Sequence, residues 1–333
     1  MKALVLHGPH EFSFEPDWSD ILIPDGWTGV RVHASGICGS DLPRMMQTGA
    51  YHHPMIPGHE FSGEVVSSGQ SDIKLGERVA VLPIIPCGKC DGCKIGPFHC
   101  SQYDFIGSRR NGGFAEYCAV PLQNLFPLPA NTGYEEGAFI EPIAVTLHVL
   151  RQSGMEPGAR VLVFGAGAIG ILTAQWASIL GAREVVIADL RDESLAIAAE
   201  CRIGKVINPR SAEFKSLSGF DFIFEAAGST AALLLAIELA APRATLTVVG
   251  RETKDTVVPL PAFEHLMRKE LTVKGCWGYD LRQDADLVYK VLEAGQLILT
   301  PMITHRLRLQ EGPEFIRGMW NKSFFYCKAM FML

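Results

Sequence analysis

RVLVFGAGAIGILTAQWASIL, residues 160–180, constrains the fold more tightly than any other stretch of this chain. RVLVFG is a continuous apolar run, the pattern of a strand buried on both faces. GAGAIG follows at once, and AIGILTAQWASIL reads as a helix that stops at Gly181. EVVIAD (184–189) supplies a second strand and RDESLAIAAEC a second helix. KVIN, FDFIFEAAG and ATLTVVG (244–250) add three more strands, and LTVKGC (271–276) a further one. Near-continuous apolar strands alternating with helices imply an α/β unit with a doubly wound parallel sheet.

The glycines carry a specific chemistry. Gly165, Gly167 and Gly170 fit G-x-G-x-x-G, set between a strand and a helix. The first permits a tight turn, the second lets the backbone approach a pyrophosphate, and the third lets helix and strand pack closely. The helix N-terminus at Ala168 and Ile169 offers N–H groups to phosphate oxygens. Asp189 closes the second strand, nineteen residues after Gly170. There it can accept hydrogen bonds from ribose hydroxyls and would repel a 2′-phosphate, so NAD is favoured over NADP. Arg191 is the residue that could accommodate the phosphate instead, and Gly250 joins the set of cofactor-binding candidates. The competing reading is a tight turn with no dinucleotide.

Residues 1–140 have a different texture. Gly and Pro separate short β-type runs: VRVHASGI, GEVVSS, ERVAVLPII and FAEYCAV. Within them CGKCDGCKIGPFHC places Cys87, Cys90, Cys93 and Cys100 inside fourteen residues. Nine cysteines is an odd number. The apolar run at the N-terminus is short for a signal peptide, and no run approaches the ~18 apolar residues of a membrane span. A cytoplasmic protein is expected, in which cysteines do not form a disulfide framework. Four thiolates satisfy tetrahedral zinc with no open position, which is a structural site. An iron–sulfur cluster or a redox pair is the alternative.

A second constellation is dispersed: Cys38 in SGICGSD, with His59 and Glu60 in PGHEFSGEV. Cys, His and carboxylate are zinc ligands. Further on, FIEPIAVTLHVL (139–150) puts Glu141 at the mouth of an apolar helix whose first turn holds Pro142. Burying a lone carboxylate is expensive, so Glu141 should have a partner. The bland alternative is a first-turn surface glutamate stabilised by the helix dipole. Net charge is −6 with no Lys or Arg runs, which argues against a nucleic-acid partner.

CGSD, GHEFSGEV, the four-cysteine lobe, GGFAEY, EPIAV and GAGAIG occur in that order. With them the chain resembles, over essentially its whole length, the zinc-dependent medium-chain dehydrogenases of the alcohol and polyol group. The resemblance implies two zinc ions per chain and NAD. Cys38, His59 and Glu141 would hold a catalytic zinc, with Glu60 bound or resting beside it; Glu141 stands where alcohol dehydrogenases carry cysteine. Cys87, Cys90, Cys93 and Cys100 would hold the structural zinc, although the fourth cysteine comes one residue earlier than is usual in the family. The implied architecture is a Rossmann domain, residues 143–277, and a mostly-β GroES-like catalytic domain. The latter would comprise 1–142 and 278–333, with a distorted, partly open barrel and a zinc lobe at about 84–103. The segment between Asn208 and Phe220 is short for the family.

The implied reaction is hydride transfer from a secondary alcohol to NAD, with zinc lowering the pKa of the substrate hydroxyl and the nicotinamide lying between the domains. Ser40, with Glu60 or Glu141, would carry the proton, because Pro43 replaces the relay histidine of many alcohol dehydrogenases. SGICGSDLPRMMQTGAYHHPMIPGHEFSGEV and YDFIGSRRNGGFAEY look most like members that oxidise a phosphorylated hexitol. Arg44, Arg109 and Arg110 are then the candidates for the phosphate, while structural pairing with carboxylates is the other reading. A dehydrogenase of a free polyol or diol (sorbitol, xylitol, threitol, butanediol) is the rival, and a non-catalytic relative the remote one. The expected partner is a small molecule, with neither nucleic acid nor membrane. The expected assembly is a homodimer through the nucleotide domains, with a homotetramer as the alternative. Cys118, Cys201, Cys276 and Cys327 read as packing residues, and His52 and His53 as loop residues near the cleft.

Overall fold

Six parallel strands frame one of the two compact units into which the chain divides. The computed structural model describes residues 1–68 and 73–333. This unit comprises Pro142–Asp284 and Gly295–Met302; the other comprises Met1–Glu141, Ala285–Ala294 and Ile303–Leu333. In the first, β1 (Arg160–Phe164), β2 (Glu184–Ala188), β3 (Lys205–Ile207), β4 (Phe220–Glu225), β5 (Ala240–Val248) and β6 (Thr272–Gly275) pair in the order β3-β2-β1-β4-β5-β6. Every pairing is parallel. The order reverses direction beside β1, which is where open α/β sheets bind ligands.

Helices α1 (Ile140–Ser153), α2 (Ala168–Ile179), α3 (Asp192–Glu200), α4 (Thr230–Leu239) and α5 (Leu260–Arg268) accompany the sheet. Residues 171–177 of α2 are all buried. Trp176 is fully buried, and its indole N–H donates to the Ile143 carbonyl at 3.2 Å. A side chain of that size contributes on the order of 3 kcal/mol by leaving water. The crossover from β3 to β4 holds only the short turn Phe214–Ser216. Phe214 covers the sheet there, its ring 6.2 Å from Phe164. Residues 278–284, read from sequence as catalytic-domain residues, cluster with the sheet instead. Arg151 holds Asp284 at 2.7 Å. Gly295–Met302 joins them, because Gln175 exchanges two hydrogen bonds with the Ile298 backbone, at 3.1 and 2.7 Å.

The other unit is built on the eleven-residue strand Trp27–Ile37. Glu60–Ser68 pairs antiparallel along one edge of it. On the other edge Tyr117–Pro121 takes the first half and Lys328–Met332 the last. Arg78–Val81, Leu125–Pro127 and Ile303–Leu307 complete a seven-stranded sheet. Two apolar clusters fill the unit, one around Leu4, Met45, Phe114 and Phe331, the other around Val32, Phe61, Val79 and Ile106. Among the described residues no helix is long and apolar enough to cross a membrane.

Candidate active site

Three strand ends converge in the β-rich unit, and each delivers part of the dispersed constellation. Cys38 follows the end of Trp27–Ile37. His59 precedes, and Glu60 opens, the strand Glu60–Ser68. Lys328 opens Lys328–Met332. Antiparallel register sets Gly36 opposite Glu60 and Ile37 opposite Ala329. Glycine at 36 leaves room for the carboxylate: a Cβ there would meet Glu60 Oε2 at 2.5 Å. Gly58, at φ +95°, lies against the backbone of the following glycines; a Cβ on Gly112 would approach its carbonyl to 2.0 Å. This close backbone approach fixes the peptide that carries His59.

The donor atoms of Cys38, His59 and Glu60 lie within 4.8 Å of one another. A soft thiolate, an imidazole and a carboxylate at that separation suit zinc with a position left open. His59 Nδ1 stands 3.2 Å from Asp41 Oδ1, at ion-pair distance without hydrogen-bond alignment, which leaves Nε2 for a metal. Asp41 is fully buried and accepts the Cys38 N–H on Oδ2 at 3.0 Å. Burial works against its charge, yet His59, Arg44 and that N–H hold its carboxyl below the usual range. Burial likewise opposes a charged His59, but Asp41 and Cys38 outweigh it and raise the imidazole. Ser40 donates its hydroxyl to Cys38 Sγ at 3.3 Å.

Glu60 makes a buried ion pair with Lys328 at 2.6 Å. Burial penalises the Lys328 charge, but Glu60, with Cys38 behind it, holds the ammonium above its usual range. Glu141 is buried in the same unit, yet its carboxylate is not within 4.8 Å of all three clustered donors. Burial pushes its pKa up to about 7; His59 and Lys328 oppose the rise, while Glu60 and Asp41 add to it. Asp41 and Lys328 are the site residues that the sequence reading passed over. Asp41 stands inside the CGSD motif, and Lys328 near the end of the chain. A lone lysine opening the apolar run KAMFML was the available signal, since buried charges are paired.

The four-cysteine lobe assembles locally. The sulfurs of Cys87, Cys90, Cys93 and Cys100 all lie within 4.8 Å of one another, the geometry of a closed thiolate site. Gly92 lets the loop close, since a Cβ there would lie 1.9 Å from the His99 carbonyl. Backbone N–H groups of Ser101 and Cys93 pull the Cys90 thiol down to about 6. Of the remaining cysteines, Cys118, Cys201 and Cys327 are buried; Cys276, expected to be packed, is only half-buried.

In the parallel-sheet unit the glycine turn fits a dinucleotide by the space it leaves. A Cβ on Gly170 would strike the Gly165 carbonyl at 1.8 Å, so packing demands that glycine. Gly167 meets nothing within 4 Å, so the space in front of the turn is open, as the approach of a pyrophosphate would require. Ala168 and Ile169 follow it as the first residues of α2. Asp189 accepts the N–H of Ala166 at 2.7 Å and of Arg191 at 2.8 Å, one on each carboxylate oxygen. Each oxygen keeps a lone pair for a ribose hydroxyl. Gly250 lies against Gly228, whose nitrogen a Cβ on Gly250 would approach to 2.2 Å.

The three candidate arginines do not stand alike. Arg44 lies 3.4 Å from Asp41 Oδ1. Arg110 is ion-paired with Asp104 and stacks over Trp27. Arg109 is clamped between the rings of Tyr51 and Tyr103, at 4.3 and 4.1 Å. Its turn packs against the His59 segment, since a Cβ on Gly107 would meet His59 N at 3.0 Å. Both His52 and His53 are exposed; His52 Nε2 lies 2.9 Å from the Arg109 carbonyl.

Residues 24–130 match the model of the alcohol dehydrogenase GroES-like domain, and residues 168–294 that of the zinc-binding dehydrogenase. Galactitol 1-phosphate 5-dehydrogenase of Escherichia coli K12 is 38% identical over 304 residues, 87% of this chain and 88% of that protein. The chain belongs to the zinc-dependent alcohol and polyol dehydrogenase family. The crystal structure of galactitol-1-phosphate dehydrogenase from Escherichia coli superposes with a TM-score of 0.90 at 34% identity, covering all of both chains. D-altritol 5-dehydrogenase of Agrobacterium fabrum is 32% identical over 88% of each chain. A zinc-binding dehydrogenase of Sinorhizobium meliloti 1021, solved bound to NADP, superposes with a TM-score of 0.90 at 28% identity, over 100% of this chain and 99% of that one. The α/β fold is thus the Rossmann and GroES-like pair of this family, and the protein is a zinc-dependent dehydrogenase that works with a nicotinamide nucleotide.

Proposed function

We propose that this dehydrogenase oxidises a secondary alcohol of a phosphorylated polyol with NAD, in the manner of galactitol 1-phosphate going to tagatose 6-phosphate. The observation that carries the reaction is the Cys38, His59 and Glu60 cluster. A zinc ion held there supplies a Lewis acid that lowers the pKa of a substrate hydroxyl. Asp41 places a negative charge 3.2 Å from His59 Nδ1, and Lys328 balances the charge of Glu60. Ser40, Glu60 and Glu141 are the groups proposed to accept or relay the hydroxyl proton. Glu141 is retained as a proposed ligand or relay group. The preference for NAD rests on the Asp189 carboxylate, which would repel a 2′-phosphate. The four thiolates are proposed to hold a second, structural zinc.

The phosphorylated substrate is supported by the likeness to galactitol 1-phosphate 5-dehydrogenase and by Arg109. Two tyrosine rings hold its planar guanidinium, and no carboxylate neutralises it in an ion pair among the described residues. Likeness to D-altritol 5-dehydrogenase favours the second reading, a free polyol. Initial rates of NADH formation from galactitol 1-phosphate, galactitol, D-altritol and sorbitol separate the two. A free polyol used as well as its phosphate would end the phosphate reading and leave the chemistry intact.

We also propose that a second copy covers the β6 edge of the parallel sheet. Val273 is exposed and in register with Leu246, so it shares the sheet face on which α4 and α5 pack. Leu260, Phe263 and Met267 form an exposed stripe on α5, and Trp277 follows β6, also exposed. An unpaired strand edge flanked by apolar side chains pairs with its own copy about a two-fold axis. Sedimentation of wild type against Val273→Lys tests this; an unchanged sedimentation coefficient would overturn it.

A further inference from the structure

One buried carboxylate has no part in the chemistry above. Glu225, the last residue of β4, is 2% exposed. Its Oε1 accepts the N–H groups of Ala227 at 3.0 Å and Ser229 at 3.2 Å. Its main-chain oxygen accepts those of Val249 and Gly250, each at 2.8 Å. A Cβ on Gly250 would lie 2.7 Å from Glu225 Oε2. The side chain thus fixes the loop that leaves β4, while the loop that leaves β5 is bonded to the main-chain oxygen of the same residue and packs Gly250 against the carboxylate. Burial raises the Glu225 pKa against the N–H donors of Ser229, Ala227 and Gly228, so the carboxylate is kept at an energetic cost. Glu252 adds a second tie between the same loops, accepting the Thr230 N–H at 2.9 Å and its hydroxyl at 3.1 Å.

The loop after β4 also touches the glycine turn. Ala226 N–H donates to the Phe164 carbonyl at 2.8 Å. Gly165, at φ +96°, lies so close that a Cβ would meet the Ala227 nitrogen at 2.8 Å. Strand order then gives direction to a bound dinucleotide. Asp189, just beyond β2, is placed for the adenosine ribose, and the turn after β1 for the pyrophosphate. β4 and β5 lie on the opposite side of β1 from β2. A nucleotide anchored at those two points must extend its nicotinamide half across the ends of β4 and β5. We infer that Glu225 is a positioning residue for the nicotinamide half of the cofactor, holding the 226–230 and 249–252 loops in the conformation that receives it.

This inference rests on reading GAGAIG as the dinucleotide site, and the test separates the two. Full-length Glu225→Gln, Asp189→Ala and wild type are titrated with NADH and with ADP-ribose, which lacks the nicotinamide. Loss of a charged acceptor should weaken NADH binding about ten-fold in Glu225→Gln and leave ADP-ribose within about two-fold. Asp189→Ala should weaken both ligands alike. Equal losses for the two ligands in Glu225→Gln, or no loss, would overturn the inference, because general loosening of the unit does not discriminate between them. A wild type that binds neither ligand would instead remove the reading of the glycine turn. If Glu225→Gln does not fold by circular dichroism, Gly250→Ala disturbs the same loops and the same ratio decides.

Discussion

The two proposed zinc sites of the β-rich unit solve opposite problems. The four-cysteine lobe is closed, local and partly exposed: its ligands come from one short loop and all are thiolates. The Cys38, His59 and Glu60 site is open and mixed; its charged neighbours include Asp41 and Arg44 from the Cys38 segment and Glu141 and Lys328 from distant parts of the chain. Asp41, His59, Glu60, Glu141 and Lys328 are all buried there. A closed site needs nothing beyond its own ligands. An open site keeps charge in a low-dielectric place, so each charge needs an opposite one held in register.

The comparison breaks most visibly when a ligand is removed. His59→Ala should take turnover to background while the protein stays folded. Cys93→Ser should lower the melting temperature and leave turnover in the folded fraction near wild type. In each variant zinc should fall from about two ions per chain to about one. Equal losses of turnover in the two variants would show that the lobe and the open site are not independent.

The next effect in size concerns the ion pair that only the open site needs. Lys328→Met leaves the Glu60 carboxylate buried without its counter-charge, which should cost about 3–5 kcal/mol in chemical denaturation. The double variant Lys328→Met with Glu60→Gln should recover most of that loss, because the uncompensated charge is then gone. A single variant as stable as wild type would mean that Glu60 finds another cation.

Asp41→Asn should act more gently. It keeps the shape and removes the charge 3.2 Å from His59 Nδ1. Metal affinity or turnover should fall about 10–100-fold, the usual scale for such supporting groups. Zinc retention against a chelator, measured alongside turnover, checks this.

What could be read from sequence follows the same division. The glycine turn and the cysteine lobe are contiguous, so spacing alone carries their geometry. The strands of the parallel sheet were legible because burial on both faces leaves unbroken apolar runs such as RVLVF and EVVIA. The open site was legible as ligands and illegible as a circuit of charge. Lys328 is 268 residues from Glu60, and only the pairing of both strands with Trp27–Ile37 brings them together. Asp41 sits in a quoted motif, but its role depends on a histidine delivered by a different strand. The return of 295–302 to the parallel-sheet unit was hidden for the same reason, since it depends on Gln175 reaching the Ile298 backbone.

The smallest expected effect lies on the turn that leads from the lobe toward the open site. Arg109 and Arg110 are adjacent, both were candidates for a substrate phosphate, and they are held by different forces. Arg110 already has a carboxylate, Asp104, in a pair open to solvent. Such a pair contributes at most about 1 kcal/mol, so Arg110→Gln should barely move stability. The KM for galactitol 1-phosphate should stay within about two-fold of wild type, as the arginine is committed elsewhere. Arg109 donates to the Tyr103 carbonyl at 2.9 Å as well, so Arg109→Gln should raise that KM by about ten-fold or more while kcat on a free polyol falls by about two-fold at most. If Arg110→Gln gave the larger KM effect, the Asp104 pair would be one that opens to receive substrate, and the phosphate would belong one residue further along the turn.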